Sequence, residues 1–160
     1  MQKAQDAGIP VVCLHSQTDG CATLLGFDER ATGQAVGEYS VELLQEQQCW
    51  PDGQAANLQG LLGQGLNEAR SGDWAEVLEA NGVEIVSQEP TDWKPEKAVA
   101  AMENWLVAYP DLNLVYGNSD GLTVPAAETA RAAGANDLLF VSVDGSDFAL
   151  EAIIKLGAQR

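Results

Sequence analysis

The sequence predicts an α/β fold, a parallel sheet flanked by helices on both faces. Two patterns point there. Short apolar, β-rich runs alternate with longer stretches whose apolar residues recur at helical spacing, and turn or helix-end residues stand at the joints. Strand–helix–strand repetition of this length makes parallel neighbours joined by crossover helices. The chain has 160 residues, enough for one domain with a real core.

The elements follow in order. Ile9-Pro10-Val11-Val12-Cys13-Leu14 reads as a buried strand, and residues 22–27 as a second one. Residues 29–47 read as a helix with Val36, Tyr39 and Leu43 on one face and Asp28 as its N-cap. Residues 55–59 form a strand, 66–79 a helix stopped by Gly82, and 83–86 a strand. The helix over 95–108 has the sharpest signature. Pro95 suits its first turn, Ala98, Val99, Met102, Trp105 and Leu106 make one apolar stripe, and Tyr109-Pro110-Asp111 ends it. A strand over 112–116, a helix over 122–133 closed by Gly134, a strand over 138–143 and a helix over 148–156 complete the order. The last helix puts Ala149, Ala152, Ile153 and Leu156 on one face.

With 24 acidic and 8 basic residues the formal net charge is -16. Such a surface repels phosphate backbones and anionic lipid, which argues against nucleic-acid and membrane-surface partners. No apolar run approaches the ~20 residues needed to span a bilayer. Met1 opens directly into Gln2-Lys3-Ala4-Gln5 without the pattern of a secretory signal, so the expectation is a removed signal or a start inside a longer parent. Cys13, Cys21 and Cys49 match no zinc spacing. Cys13, in an apolar strand, reads as a buried small hydrophobe, with a Cys13–Cys21 bridge as the alternative.

In an open parallel sheet ligands sit beyond the carboxyl ends of the strands. His15 and Ser16 follow the first strand. The Gly-rich turn Gly60-Leu61-Leu62-Gly63-Gln64-Gly65 follows the third, with Arg70 one turn into the next helix. Asp92 and Trp93, then Asn118, Ser119 and Asp120, then Asp144 and Gly145 follow the remaining strands. Arg and Asp suit paired hydrogen bonds to neighbouring hydroxyls, and Trp offers a flat face to the C–H surface of a sugar ring. Each has a plainer reading. Arg70 pairs with Asp73 or Glu68 in solvent unless its shared face with Leu66 and Trp74 turns it inward, which is the preferred reading. Trp93 covers the sheet end, Asp144 caps the last helix or fixes a turn, and Ser119 caps the helix that follows it. For Asp120 capping is the preferred reading, and for His15, the only histidine, a structural role. Trp105 and Met102 belong to the core.

Residues 60–65 lack the Lys-Ser/Thr ending of a phosphate-binding loop and the spacing of the dinucleotide fingerprint. There is no cysteine with an evident base, and no nucleophile or ligand cluster around His15. The expectation is a protein that is not an enzyme and uses no cofactor or metal.

The chain resembles the type I periplasmic sugar-binding proteins, the ribose-binding protein family, whose fold is shared with the effector domains of lactose-repressor-type regulators. The resemblance is carried in order by Ala4-Gln5-Asp6-Ala7-Gly8-Ile9-Pro10-Val11-Val12; Asp28 with Gly33 and Gly37; Leu58-Gln59-Gly60 with Arg70; Asp92-Trp93 leading to Trp105; Tyr109-Pro110-Asp111-Leu112; and Val143-Asp144-Gly145 with Ala149-Leu150. It implies a three-layer lobe of a two-lobed protein that closes on a small sugar by a hinge and is read by a membrane permease of an ABC-type uptake system in the periplasm. The alternative it leaves is the effector lobe of a sugar-responsive regulator. Arg70, Trp93 and Asp144 look like the family's ligand arginine, aromatic stacker and ligand aspartate. Ser119 stands, beside Asn118, where the family often has asparagine, and His15-Ser16 where it often has Asp-Arg, departures that imply a different sugar or a weakened site. The resemblance divides the chain into residues 1–27, a remnant of the first lobe, and 28–160, the second lobe. An apolar strand separated from its native sheet is expected to join the remaining sheet or to be exchanged in a homodimer.

Overall fold

In the computed structural model, which describes residues 1–15, 18–49 and 51–157, a four-stranded parallel sheet forms the centre. The elements are α1 (Gln2–Asp6), β1 (Val12–Leu14), β2 (Thr23–Leu25), α2 (Glu29–Glu46), β3 (Gln54–Gln59), α3 (Gly65–Ala80), β4 (Glu84–Pro90), α4 (Pro95–Ala108), β5 (Leu112–Gly117), α5 (Asp120–Ala132), β6 (Leu139–Ser142) and α6 (Asp147–Gly157). The order across the large sheet is β4-β3-β5-β6. The chain therefore moves outward from β3 to β4, then crosses back to lay β5 on the other side of β3. Diverging crossovers leave a crevice at the carboxyl ends of β3 and β5, the place where such sheets bind ligands.

The pleat sorts successive side chains to opposite faces. Ala55, Leu114, Tyr116, Leu139 and Val141 pack with Val41, Leu44, Trp74 and Leu78 of α2 and α3. Ala56, Leu58 and Val115 pack with Ala98, Met102, Trp105, Leu122 and Ala126 of α4 and α5. Both faces of the sheet are thus covered, and the three-layer expectation holds. The two indoles in these cores place their N–H groups well. Trp74 donates to Ser40 Oγ at 3.1 Å and Trp105 to Ser87 Oγ at 3.0 Å. A buried indole N–H without an acceptor would be costly.

The helix ends obey local chemistry. Asp28 accepts from the Ala31 N–H at 3.1 Å and caps α2 as expected. Pro95 stands at the start of α4, where its missing N–H is not needed. Gly33 sets how closely two helices approach, because a Cβ there would lie 2.6 Å from the Arg70 carbonyl oxygen. Glycine lets α2 close onto α3 at the level of Arg70.

Four expectations need correction. The strand over residues 9–14 is shorter and largely uncovered: Cys13 is buried, whereas Val12 and Leu14 are 59% and 66% exposed. β1 pairs with β2 in a separate parallel sheet and does not join the four-stranded one. Cys13 is disulfide-bonded to Cys21, so the bridge replaces the free buried thiol. The bridge links Cys13 to the loop that leads into β2, a tie that an apolar run cannot reveal. In α6 only part of the expected face is covered. Ala149 is buried, while Ile153 is exposed. Among the described residues no helix is long and apolar enough to cross a membrane.

Candidate functional site

A cleft of about 610 Å³ opens over the carboxyl ends of the strands, between the short sheet and the large one. His15, Arg70, Trp93, Ser119 and Asp144 line it, together with Phe27, Thr32 and Gln64. Backbone strain concentrates there. Five non-glycine residues have positive φ among the described residues, and three of them, His15, Trp93 and Asp144, line the cleft. Strain of this kind persists only where surrounding contacts hold it.

Arg70 is the centre of the cleft floor. α3 carries it inward on the face of Trp74, and it is 7% exposed. Its Nε donates to Glu29 Oε2 at 2.6 Å, and its Nη1 donates to the Asn118 carbonyl at 2.8 Å and to Asp144 Oδ1 at 3.3 Å. The solvated pairings with Asp73 or Glu68 do not occur. Asp73 pairs with Arg30 at 3.0 Å, and Glu68 accepts from the Gly63 N–H at 2.8 Å. A guanidinium held on three sides has a fixed direction and keeps Nη2 for another partner.

Trp93 lies across Gly60, whose missing Cβ leaves room for the indole. The indole N–H donates to Gln64 Oε1 at 2.7 Å, so the ring is pinned at the edge of the cleft. Its neighbour Asp92 turns away and pairs with Lys97 at 2.6 Å. That ammonium, by hydrogen bond and charge, holds the Asp92 carboxyl below the usual range. Asp144 is pushed the other way. Partial burial raises its pKa, Arg70 opposes the rise, and nearby Asp120 adds to it. Burial likewise raises the Tyr116 hydroxyl, which lies beneath the site without a hydrogen-bond partner among the described residues.

His15 forms the opposite wall. Its ring lies 5.3 Å from that of Phe27, and its Nδ1 stands 3.4 Å from Glu29 Oε1. Ser16 falls outside the described residues. Ser119 lines the cleft at the N-cap position of α5 but makes no side-chain cap bond, so its hydroxyl is not used by the helix.

Two readings change. Asn118, expected on the cleft surface, is fully buried. Its amide nitrogen donates to Asn67 Oδ1 at 2.6 Å and to Ser71 Oγ at 2.8 Å, tying β5 to α3. Only its backbone carbonyl reaches the site, through Arg70. Asp120 does not cap α5. Its Oδ2 accepts from the Ser146 N–H at 2.7 Å and holds the turn that presents Asp144. Sequence reasoning missed Glu29, which is easily overlooked beside its cap Asp28. It also missed Phe27, although Phe27 obeys the same strand-end rule as the residues found. Among the described residues no group of three or more His, Cys, Asp or Glu is placed to hold a metal ion.

A family model described as a periplasmic binding protein domain matches residues 1–159. The chain belongs to that family. This periplasmic binding protein domain is 26% identical over 148 residues to the ribose import binding protein of Escherichia coli (strain K12), covering 91% of this chain and 48% of the relative. It is 26% identical over 161 residues to the D-apiose import binding protein of Actinobacillus succinogenes, covering 98% and 50%. Among solved structures it is similar to an ABC transporter periplasmic solute binding protein from Actinobacillus succinogenes 130z with bound D-allose, at TM-score 0.84 and 26% identity over 96% of this chain and 57% of that one. A second is an ABC transporter solute binding protein from Mycobacterium smegmatis with bound glycerol, at TM-score 0.80 and 30% identity over 90% and 49%. The chain spans about half the length of the curated relatives it matches.

Proposed function

We propose that this chain is the sugar-binding lobe of a solute-binding protein for a small sugar or polyol, serving an ABC-type uptake system in the periplasm and carrying out no catalysis. Residues 28–160 make the lobe and residues 1–27 belong to its companion. Closure of the two around a hinge would bury the sugar and present the closed form to the permease. The observation that carries this reading is the pairing of a fixed guanidinium with a pinned indole on one rim: Arg70 held by Glu29 and Asp144, Trp93 held by Gln64. Such a pair offers directed hydrogen bonds to hydroxyls and an apolar face to ring C–H groups. The import-binding names of the curated relatives support uptake over the regulator alternative.

The test is a thermal-shift panel of pentoses, hexoses and polyols on this chain. A saturable rise with one sugar, abolished by Trp93→Ala, is expected. A panel in which no sugar moves the melting temperature counts against binding by this lobe.

A further inference from the structure

The geometry points to a cleft that selects its ligand by charge, preferring a polyol that bears an amine over neutral or acidic sugars; this names a ligand class and rests on the sugar-binding reading. Arg70 and His15 are the basic side chains lining the cleft among the described residues, and only Arg70 carries a permanent charge. Its single charge faces Glu29 at 2.6 Å and Asp144 at 3.3 Å. A third carboxylate, Asp120, is buried at the start of α5 and braces, through the Ser146 N–H, the turn that carries Asp144. Two carboxylates therefore contact one guanidinium, and a third acts on Asp144 by its charge. A protonated His15 on the far wall would still leave negative charge in excess.

Other cations among the described residues stand outside the cleft lining: Arg30, Lys97 and Lys155 are each engaged by an acid of their own, Asp73, Asp92 and Glu151, and Lys3, Lys94 and Arg131 are not among the lining residues. The net charge of -16 adds a long-range field of the same sign. One further observation points the same way. Asp144, 40% exposed at its side chain, is held above the usual carboxylate range, and a cation beside it would relieve that.

An ammonium suits these surroundings in two ways. It donates to the Asp144 carboxylate with charge assistance, and it lies favourably over the face of Trp93. A neutral hydroxyl in the same place gains only the hydrogen bond. A sugar carboxylate meets like charge. Part of the cleft is open to water and salt, so the discrimination expected is about tenfold.

The experiment uses this chain and two matched trios, glucose, glucosamine and glucuronate, and their galactose counterparts, at slightly acid pH where the amines carry a proton. Ligand-observed NMR titration gives the affinities at low and high salt. The amine of at least one trio should bind about tenfold tighter than its neutral parent, the uronate should not bind, and added salt should narrow the gap. Asp144→Asn should erase the preference. His15→Lys, which adds a cation to the far wall, should move the order toward the uronate. Equal or tighter binding of the neutral sugars overturns the charge inference and leaves sugar binding standing. So does silence from both amines while a neutral sugar of the wider panel still shifts the melting temperature. Silence from the whole panel, amines included, overturns the sugar-binding reading together with it.

Discussion

Replacing Glu29 tests the architecture of the site through stability alone. Glu29 and Arg70 are each 8% exposed at the side chain and joined by a 2.6 Å bond. Glu29→Ala leaves the Arg70 Nε–H buried without its acceptor. Removing one partner of a buried ion pair costs about 3–5 kcal/mol. Asp144 and the Asn118 carbonyl still hold Nη1, which places this case near the lower end. Glu29 also opens α2, where an acidic side chain contributes about 0.3–1 kcal/mol against the helix dipole. The expected loss is therefore ~3–4 kcal/mol, or about 6–16 °C in melting temperature for a chain of this size. Thermal and urea unfolding followed by circular dichroism would measure it. The double variant Glu29→Leu, Arg70→Met removes both charges and should recover at least half of the loss, since a vacated pair costs far less than a broken one. A single-variant shift under about 2 °C, or a double variant whose cost is the sum of the two singles, would refute a coupled, buried pair.

Three other outcomes are expected. Gly60→Ala drives a methyl into the Trp93 ring; the half-buried indole can swing outward, so stability should fall by only about 1 kcal/mol, the Gln64 bond, while sugar affinity collapses, as titration would show. Asp144→Asn should raise the melting temperature at neutral pH. The folded state holds that carboxyl above its unfolded pKa, so the wild type loses stability as pH rises through the folded value and regains it in acid; an advantage for the variant that does not shrink on acidification would contradict the assignment. Reduction of Cys13–Cys21, or Cys21→Ser, removes a short loop constraint of about 2–3 kcal/mol that acts on the N-terminal segment. Amide exchange should then quicken in β1 and β2 and stay unchanged in β3 and β5, and uniform loss of protection would show that the two sheets unfold as one unit.

Legibility differed between backbone and site. The α4 helix was readable to the residue because its start, stripe and stop are written within a few positions of one another, from Pro95 to Tyr109-Pro110. The Asp28 cap was readable for the same reason. Arg70 could be turned inward from its spacing to Trp74 alone. Asn118 could not be placed, because its position after β5 is compatible with either side of the crevice. What turns it inward is the acceptor offered by Asn67, which lies 51 positions away. Asp120 misled in a related manner. An acidic residue at a helix start resembles a cap, and only the folded turn at Ser146 gives it another partner.

The sequence by itself determined the order of strands and helices, the parallel sheet, and the rim on which the polar groups gather. Those properties arise from periodicity and end signals within a dozen residues. The tertiary structure alone decided which charges meet. Glu29 reaches Arg70 across 41 positions and Asp144 reaches it across 74, and neither separation leaves a local trace. It also decided that β1 stands apart from the main sheet, with Val12 and Leu14 uncovered. An apolar strand records only that it gains by burial; whether a neighbour covers it depends on what the rest of the chain places nearby.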